Sequence, residues 1–179
     1  DERRRFAQVS HEYLIEQVQY QAGSSSSVST ELNFNHPVKE LIWTGGATDG
    51  VQTALDSTKD YQLKLNGHDR MSARPLSYFA KQQVWMHHTG PGDITTGLGN
   101  AAAAAGSVGG AGSVGNSGTG IAVYSFALKP EEHQPSGTCN FSRIDNAQLI
   151  GPSQSRDVFA VNYNVLRIMS GMGGLAYSN

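Results

Sequence analysis

The sequence predicts an all-β fold built as a sandwich of two antiparallel sheets. Apolar or β-branched residues recur at every second position in several short segments, which is the spacing of a strand with one buried face. Glycine and proline residues separate these segments at places suited to turns. Helical periodicity is nearly absent, so we expect strands along most of the chain.

Eight segments predict strands, which is the number in a jelly roll. In the clearest, 28–35, the side chains of Val28, Leu32 and Phe34 fall on one face and polar side chains on the other. Eight antiparallel strands at this spacing favour the two-sheet, eight-stranded jelly roll. The predicted strands lie at 12–21, 28–35, 38–44, 61–66, 78–87, 121–128, 138–150 and 158–164.

The predicted turns contain residues that accept a positive φ or fix φ. We expect Lys129-Pro130 to end a strand, because proline cannot donate to the ladder. On the strand predicted to follow, Arg143 and Asp145 would share a face. There they could pair with each other or with charges on an adjacent subunit, or form a solvated pair of little energy. The turns are Gly45-Gly46, Asn66-Gly67, Gly90-Pro91-Gly92, Lys129-Pro130 and Pro135-Ser136-Gly137.

A segment at about 90–120 differs from the rest in composition. Five alanines at 101–105 and two copies of Ala-Gly-Ser-Val-Gly give it many small residues and almost no charge. Five alanines are too few to nucleate a helix in water, and the glycines that follow oppose one. We expect a long Gly/Ala-rich loop inserted into a single domain that spans 1–179; a linker between two domains is the alternative.

Composition argues against nucleic acid and membranes as direct partners. The chain has 179 residues, 16% of them charged, and a net charge of -2, so it has no long-range field that attracts nucleic acid. The basic run Arg3-Arg4-Arg5 follows two acidic residues, and we expect a solvated or inter-domain contact run. No segment is long and apolar enough to span a membrane. Because the chain begins with Asp1, we expect a processed or truncated part of a longer protein.

No motif predicts catalysis, and we assign no catalytic, cofactor-binding or metal-binding residue. A metal site of the cupin type needs His-x-His on a strand, whereas His87 and His88 are adjacent and would point to opposite faces. The Gly-x-Gly-x-x-Ala match at 97–102 lacks the βαβ context that gives it meaning. Cys139 has no basic neighbour to activate it, so a buried structural thiol is expected. We expect Trp85-Met86 and the apolar segment 167–177 to serve as core or subunit contacts.

One long segment resembles a known family. Residues 124–145, YSFALKPEEHQPSGTCNFSRID, closely resemble the signature of the major capsid proteins of nucleocytoplasmic large DNA viruses, such as iridoviruses and phycodnaviruses. Shorter segments look like the same family, and together they span nearly the whole chain. They are HPVKEL at 36–41, LNGHDRM at 65–71, the pair His87-His88, and NVLRIMSG at 164–171.

The resemblance implies a structural virion protein with no enzymatic activity and no cofactor. This chain would be the second, C-terminal roll of a double jelly-roll subunit, with the N-terminal roll absent. Three subunits would form a pseudo-hexagonal capsomer, and many capsomers would tile an icosahedral capsid over an internal membrane, assembled in the host cytoplasm. Its partners would be itself as a homotrimer, neighbouring capsomers and minor capsid proteins. The insertion at about 90–120 departs from the family and puts any shared surface function in doubt.

Two other functions remain open on the residues alone. A carbohydrate-binding β-sandwich module would use loop aromatics to contact sugars. A metal-dependent sandwich enzyme would hold a stoichiometric metal ion.

Overall fold

The computed structural model describes residues 1–23, 27–48, 51–52, 55–90 and 120–177. Strands dominate these ranges. The strands are β1 His11–Gln21, β2 Ser29–Glu31, β3 Pro37–Gly45, β4 Ala47–Thr48, β5 Val51–Gln52, β6 Asp60–Leu65, β7 His68–Asp69, β8 Arg74–Pro75, β9 Ile121–Ser125, β10 Cys139–Asn140, β11 Ala147–Ile150, β12 Arg156–Met169 and β13 Met172–Leu175. The helical elements are α1 Glu2–Gln8, a π-helical turn Tyr78–Gln82, α2 Gln83–His87 and a 3-10 turn Phe141–Arg143.

The larger sheet has six strands arranged around β12. Strand β12 pairs antiparallel with β1 along the whole length of β1, and on its other side with β3 and then with β13. Strand β3 in turn pairs with β9 and β10. The predicted strands 12–21, 38–44 and 158–164 are confirmed, and the last is longer than predicted because its ends pair with β3 and β13.

The second sheet has five strands, in the order β2-β11-β6-β7 with β8 also paired to β6. Its inner face and the inner face of the six-stranded sheet share one core, in which the residues are buried hydrophobics. At the centre the Trp43 ring lies 5.0 Å from Phe79 and 6.3 Å from Tyr61, as measured between ring centroids. These aromatic contacts join both sheets to the helical segment.

The predicted strand 78–87 is wrong, because this segment is helical. Its buried side chains are Phe79, Ala80 and Gln83, and together with Leu76 just before the segment they recur at the spacing of a helix and not at every second position. The helical turns place Phe79 in the core and leave Trp85 pointing outward. The segment therefore packs against β9 as helical turns.

The predicted strand 138–150 is interrupted. Only Cys139 and Asn140 pair with β3, and the chain then forms a 3-10 turn before β11 begins. Asn140 starts the turn, since its Oδ1 atom accepts a hydrogen bond from the Ser142 amide at 3.1 Å. Arg143 and Asp145 therefore do not share the face of a strand, so the placement from which their pairing was considered is wrong.

Two further predicted strands are shorter in the structure. The strand at 121–128 ends at Ser125, so Lys129-Pro130 lies beyond its end and does not terminate it. The strand at 28–35 ends at Glu31, although Leu32 and Phe34 stay buried. Two glutamine side chains replace the missing ladder there, because Gln19 and Gln21 each donate to and accept from the backbone of 31–35. The predicted loop at about 90–120 lies almost wholly outside the described residues.

A buried arginine fixes the junction between the two sheets. Arg156 begins β12 and is fully buried, and its guanidinium donates to Thr30 Oγ1 and to the carbonyls of Ser27, Val28 and Pro152 at 2.7 to 3.3 Å. Burial lowers its pKa from the usual value. Neutral oxygen acceptors thus satisfy the buried guanidinium, and these hydrogen bonds join β12 to the chain that leads into β2.

We predict that Arg156→Ala destabilises the fold by about 3 kcal/mol or more, because truncation leaves several buried carbonyls without donors. Arg143→Ala is the matched control, since Arg143 is exposed, and it should cost under about 0.5 kcal/mol. Urea unfolding of both variants measures the difference. Equal stabilities would show that the guanidinium network is not formed.

The helical reading of 78–87 has its own test. On a strand Phe79 and Trp85 would share a face, whereas here Phe79 is 1% and Trp85 83% exposed. Phe79→Ala should therefore cost about 3–5 kcal/mol of unfolding free energy, and Trp85→Ala under about 0.5 kcal/mol. Urea denaturation measures both losses, and similar losses in the two variants would support a strand at 78–87 and contradict the helix.

Candidate assembly interface

The outer face of the six-stranded sheet carries a band of apolar side chains. On β1 the even-numbered residues point away from the core, and among them Val18 is 65% exposed, with Leu14 and Tyr20 also exposed. Opposite them on β12 lie Val165, Val161 and Phe159, which are half-buried. Glu12 and Glu16 also point outward and divide the band on β1. Apolar patches of this kind often mark a contact with another protein surface.

The band continues across β3 to β9. Phe159 stands opposite Ile42, and Ile42 opposite Val123, so one apolar row crosses four strands. The Tyr20 and Phe159 rings lie 5.0 Å apart, which extends the row onto β1. In the described part of the chain no strand pairs with the free edge of β1, which is 11 residues long. A long open edge beside an apolar face is a surface suited to burial by another protein domain.

A β-bulge in β3 places a charged network within this face, since its β1 member, Glu16, stands between Leu14 and Val18. Val161 pairs with Glu40 and Asn162 with Val38, so Lys39 is an extra residue in the ladder. The Lys39 side chain is 4% exposed and donates to Glu16 on β1 at 2.6 Å and to the Pro130 carbonyl at 2.7 Å. Its ammonium also lies 5.5 Å from the centre of the Tyr163 ring. The buried cation thus ties β1, β3 and the loop after β9 together.

Glu40 and His88 continue the network. Glu40 Oε2 lies 3.1 Å from His88 Nε2, and Glu131 Oε1 lies 3.2 Å from His88 Nδ1. Burial raises the pKa of Glu40, while the charges of His88 and Lys39 oppose the rise. Hydrogen bonds from the Thr89 amide and hydroxyl lower the pKa of Glu131. Sequence reasoning rejected His88 as a metal ligand and counted the pair His87-His88 in the family resemblance, but it did not find these carboxylate partners.

Other exposed apolar side chains lie beside the helical segment and at the end of the chain. Trp85 and Met86 on α2 are exposed, as is Leu128, whose carbonyl lies 3.1 Å from His87 Nδ1. The segment predicted at 167–177 docks its backbone on β12 as strand β13, but Met172 and Tyr177 remain exposed. The tail's backbone therefore docks on its own sheet, as expected, whereas Trp85 and Met86 do not enter the core. A subunit contact for these side chains stays a prediction.

The remaining sequence candidates are dispersed. The run Arg3-Arg4-Arg5 lies exposed on α1, and the 97–102 motif falls outside the described residues. Cys139 is half-buried and not fully buried as expected, and desolvation raises the pKa of its thiol, which lowers the population of the reactive thiolate. Within the described ranges no three His, Cys, Asp or Glu side chains are grouped to hold a metal ion. The described helices are all too short or too polar to cross a bilayer.

Comparison with known proteins assigns the family. Residues 2–96 and 111–156 match the family model described as large eukaryotic DNA virus major capsid protein. The chain belongs to this family. It is 56% identical over 187 residues to the major capsid protein of Pyramimonas orientalis virus, a match that covers 100% of this chain and 46% of the relative. It is 36% identical over 248 residues to the major capsid protein of Paramecium bursaria Chlorella virus 1, covering 99% of this chain and 51% of that protein.

A solved structure agrees with the family assignment. The chain superposes on a chain of the quasi-atomic model of the PBCV-1 virus capsid with a TM-score of 0.73 and 33% identity, covering 99% of this chain and 54% of that chain. That neighbour is a double jelly-roll protein, which confirms the predicted jelly-roll class. This capsid protein chain spans about half the length of the relatives it matches.

The buried lysine of the capsid domain can be tested by truncation. Lys39→Ala should destabilise the fold by about 2–4 kcal/mol, because Glu16 and Glu40 would lose their neighbouring cation. The control is Lys129→Ala, whose exposed pair with Glu132 at 3.0 Å should contribute under about 0.5 kcal/mol. Chemical denaturation near neutral pH distinguishes the two variants. Equal effects would mean that Lys39 is solvated.

Proposed function

We propose that this chain is a structural domain of a virion shell: the second, C-terminal roll of a double jelly-roll subunit, with the N-terminal roll outside this chain. The observation that carries the proposal is the apolar outer face of the six-stranded sheet, which includes the exposed Val18 and Tyr20. An enzyme needs a cluster of reactive side chains, whereas a shell domain needs faces that it can bury against other domains. The described surface has such a face.

The subunit assembles as a trimer that forms a pseudo-hexagonal capsomer, and capsomers tile an icosahedral capsid. Support comes from the family membership and from the exposed apolar side chains of the outer face, since obligate interfaces are more hydrophobic than transient ones. The outer face of the six-stranded sheet is buried within that capsomer. Function is then repeated protein–protein burial, without enzymatic activity and without a cofactor.

The partners follow from this role. The chain contacts copies of itself in the homotrimer, neighbouring capsomers and minor capsid proteins. It does not bind nucleic acid directly, because its net charge of -2 offers no field for a polyanion. An internal viral membrane lies nearby but is not crossed. The protein is a virion component that assembles in the host cytoplasm.

Native mass spectrometry of the full-length subunit tests the proposal. The wild type should be a trimer, and Val18→Asp should dissociate it while changing the stability of the fold by under about 1 kcal/mol. Val28→Asp is the matched control, because Val28 is also more than half exposed but lies beside β2 of the other sheet, and it should keep the trimer.

A subunit that stays monomeric at high concentration would overturn the trimer. Saturable binding on a glycan array, abolished by Trp85→Ala, would then favour the carbohydrate-binding alternative.

A further inference from the structure

The inner face of the six-stranded sheet continues beyond the core. On β12, Ala160 lies in the core, and Leu166 and Ile168 follow on the same face, because every second side chain of a strand points the same way. Leu166 stands opposite Tyr13 on β1 and opposite Leu175 on β13, so one apolar row crosses three strands. Tyr13 is 47% and Leu175 46% exposed, so this part of the inner face is open to water.

A belt of amide side chains separates this row from the core. Asn162 and Asn164 follow Ala160 on the inner face of β12, and both are buried. Gln19 on β1 donates to Asn162 Oδ1 at 3.1 Å, and Asn164 donates to Gln17 Oε1 at 3.0 Å. Within the described ranges no residue of β1 or β13 belongs to the core. The hydrophobic core therefore ends at the amide belt, and the apolar row beyond it is a separate surface.

Helix α1 lies at the same end of the sheet. The Phe6 ring stacks on the His11 ring with 3.9 Å between centroids, and the His11 ring lies 6.4 Å from the Tyr13 ring. Yet α1 has seven residues, with no buried residue and no side-chain cap. Isolated helices shorter than about 12–15 residues are marginal in water. A neighbour that covered α1 and the apolar row together would stabilise both. The apolar side chains of this surface, called the end zone below, are Phe6, Tyr13, Leu166, Ile168 and Leu175.

The size of the end zone favours a partner that is joined to the same chain. Its five side chains are partly covered already and expose on the order of 300 Å². A stable interface between free proteins covers about 800 Å² on each partner. A covalently linked domain needs less area, because the linkage raises its effective concentration to the millimolar range. The end zone therefore suits a linked domain better than a second copy of the chain.

We propose that the N-terminal roll of the full-length subunit docks on the end zone. The inference rests on the function proposed above, in which the N-terminal roll precedes Asp1 and joins this domain through α1. The seven residues of α1 span about 10 Å, so the roll enters beside the end zone. The exposed run Arg3-Arg4-Arg5 on α1 then lies at the contact between the two rolls.

Hydroxyl-radical footprinting with tandem mass spectrometry tests the docking site. It compares residues 1–179 alone with the full-length Val18→Asp subunit, which should be monomeric, so that contacts between subunits do not contribute. The radical dose is matched with an internal dosimeter. Oxidation of Tyr13 should be about fivefold slower in the full-length subunit, the change expected when a side chain 47% exposed is covered at the core of an interface.

Three further variants locate the contact. Each is made in 1–179 and in the full-length monomer, and the ratio of the two Tyr13 oxidation rates is compared. Leu175→Asp should bring this ratio close to one, because a charge opposes an apolar contact. Phe6→Asp should do the same and leaves both sheets intact, since Phe6 lies on the exposed helix α1. Leu128→Asp is the matched control, because Leu128 is exposed in the loop after β9, and it should keep the fivefold difference.

The outcomes separate this inference from the shell function. Equal oxidation of Tyr13 in the two lengths would overturn the docking site, even where the wild type forms the trimer. A monomeric wild type would overturn the trimer alone, and the protection of Tyr13 is then measured in the wild type. Protection that is lost on dilution of the full-length subunit would assign the end zone to a second copy and would also overturn the inference.

Discussion

The fold depends on the register of β12 with its two long neighbours. Strand β12 pairs with β1 on one side and with β3 on the other. The register of β12 therefore decides which side chains face the core and which face outward across all three strands. Val158 and Ala160 enter the core, and Phe159 and Val161 form the outer face. A slip of one residue would exchange these sets, burying the outer row and exposing the core. The Arg156 guanidinium at the start of β12 opposes such a slip by binding four fixed acceptors in the chain before and within β2 and after β11.

The bulge at Lys39 is the one place where this register changes, and the charged groups collect there. An extra residue in β3 turns Lys39 toward Glu16 while Glu40 stays opposite Val161. The Lys39 carbonyl at the bulge keeps hydrogen-bond partners, because it accepts hydrogen bonds from the amides of Phe126 and Ala127. The bulge thus anchors the segment after β9 to the sheet through the Lys39 backbone. This role is the physical reason why Lys39 and Glu40 stand in an otherwise apolar strand.

Alternation predicted β6 and β12 because one face of each lies in the core, and the period of two survives in the sequence. It failed at 78–87, where the buried side chains of Leu76, Phe79 and Gln83 follow a helical period that begins before the predicted segment. The capsid resemblance came from residues 124–145, and family membership confirms it. The Glu16–Lys39–Glu40–His88–Glu131 network was not predictable, since its members are brought together only by strand pairing and by a bulge. The adjacent charges of Lys39 and Glu40 within an apolar strand were its one visible sign.

The central claim is that the outer face of the six-stranded sheet is a buried contact surface in the assembled shell. Hydroxyl-radical footprinting compares this domain alone with assembled particles and reads the oxidation of individual side chains. The account predicts that oxidation of Tyr20 on β1 falls sharply on assembly, because the exposed ring becomes covered. Equal oxidation of Tyr20 in the isolated domain and in the particle would contradict it.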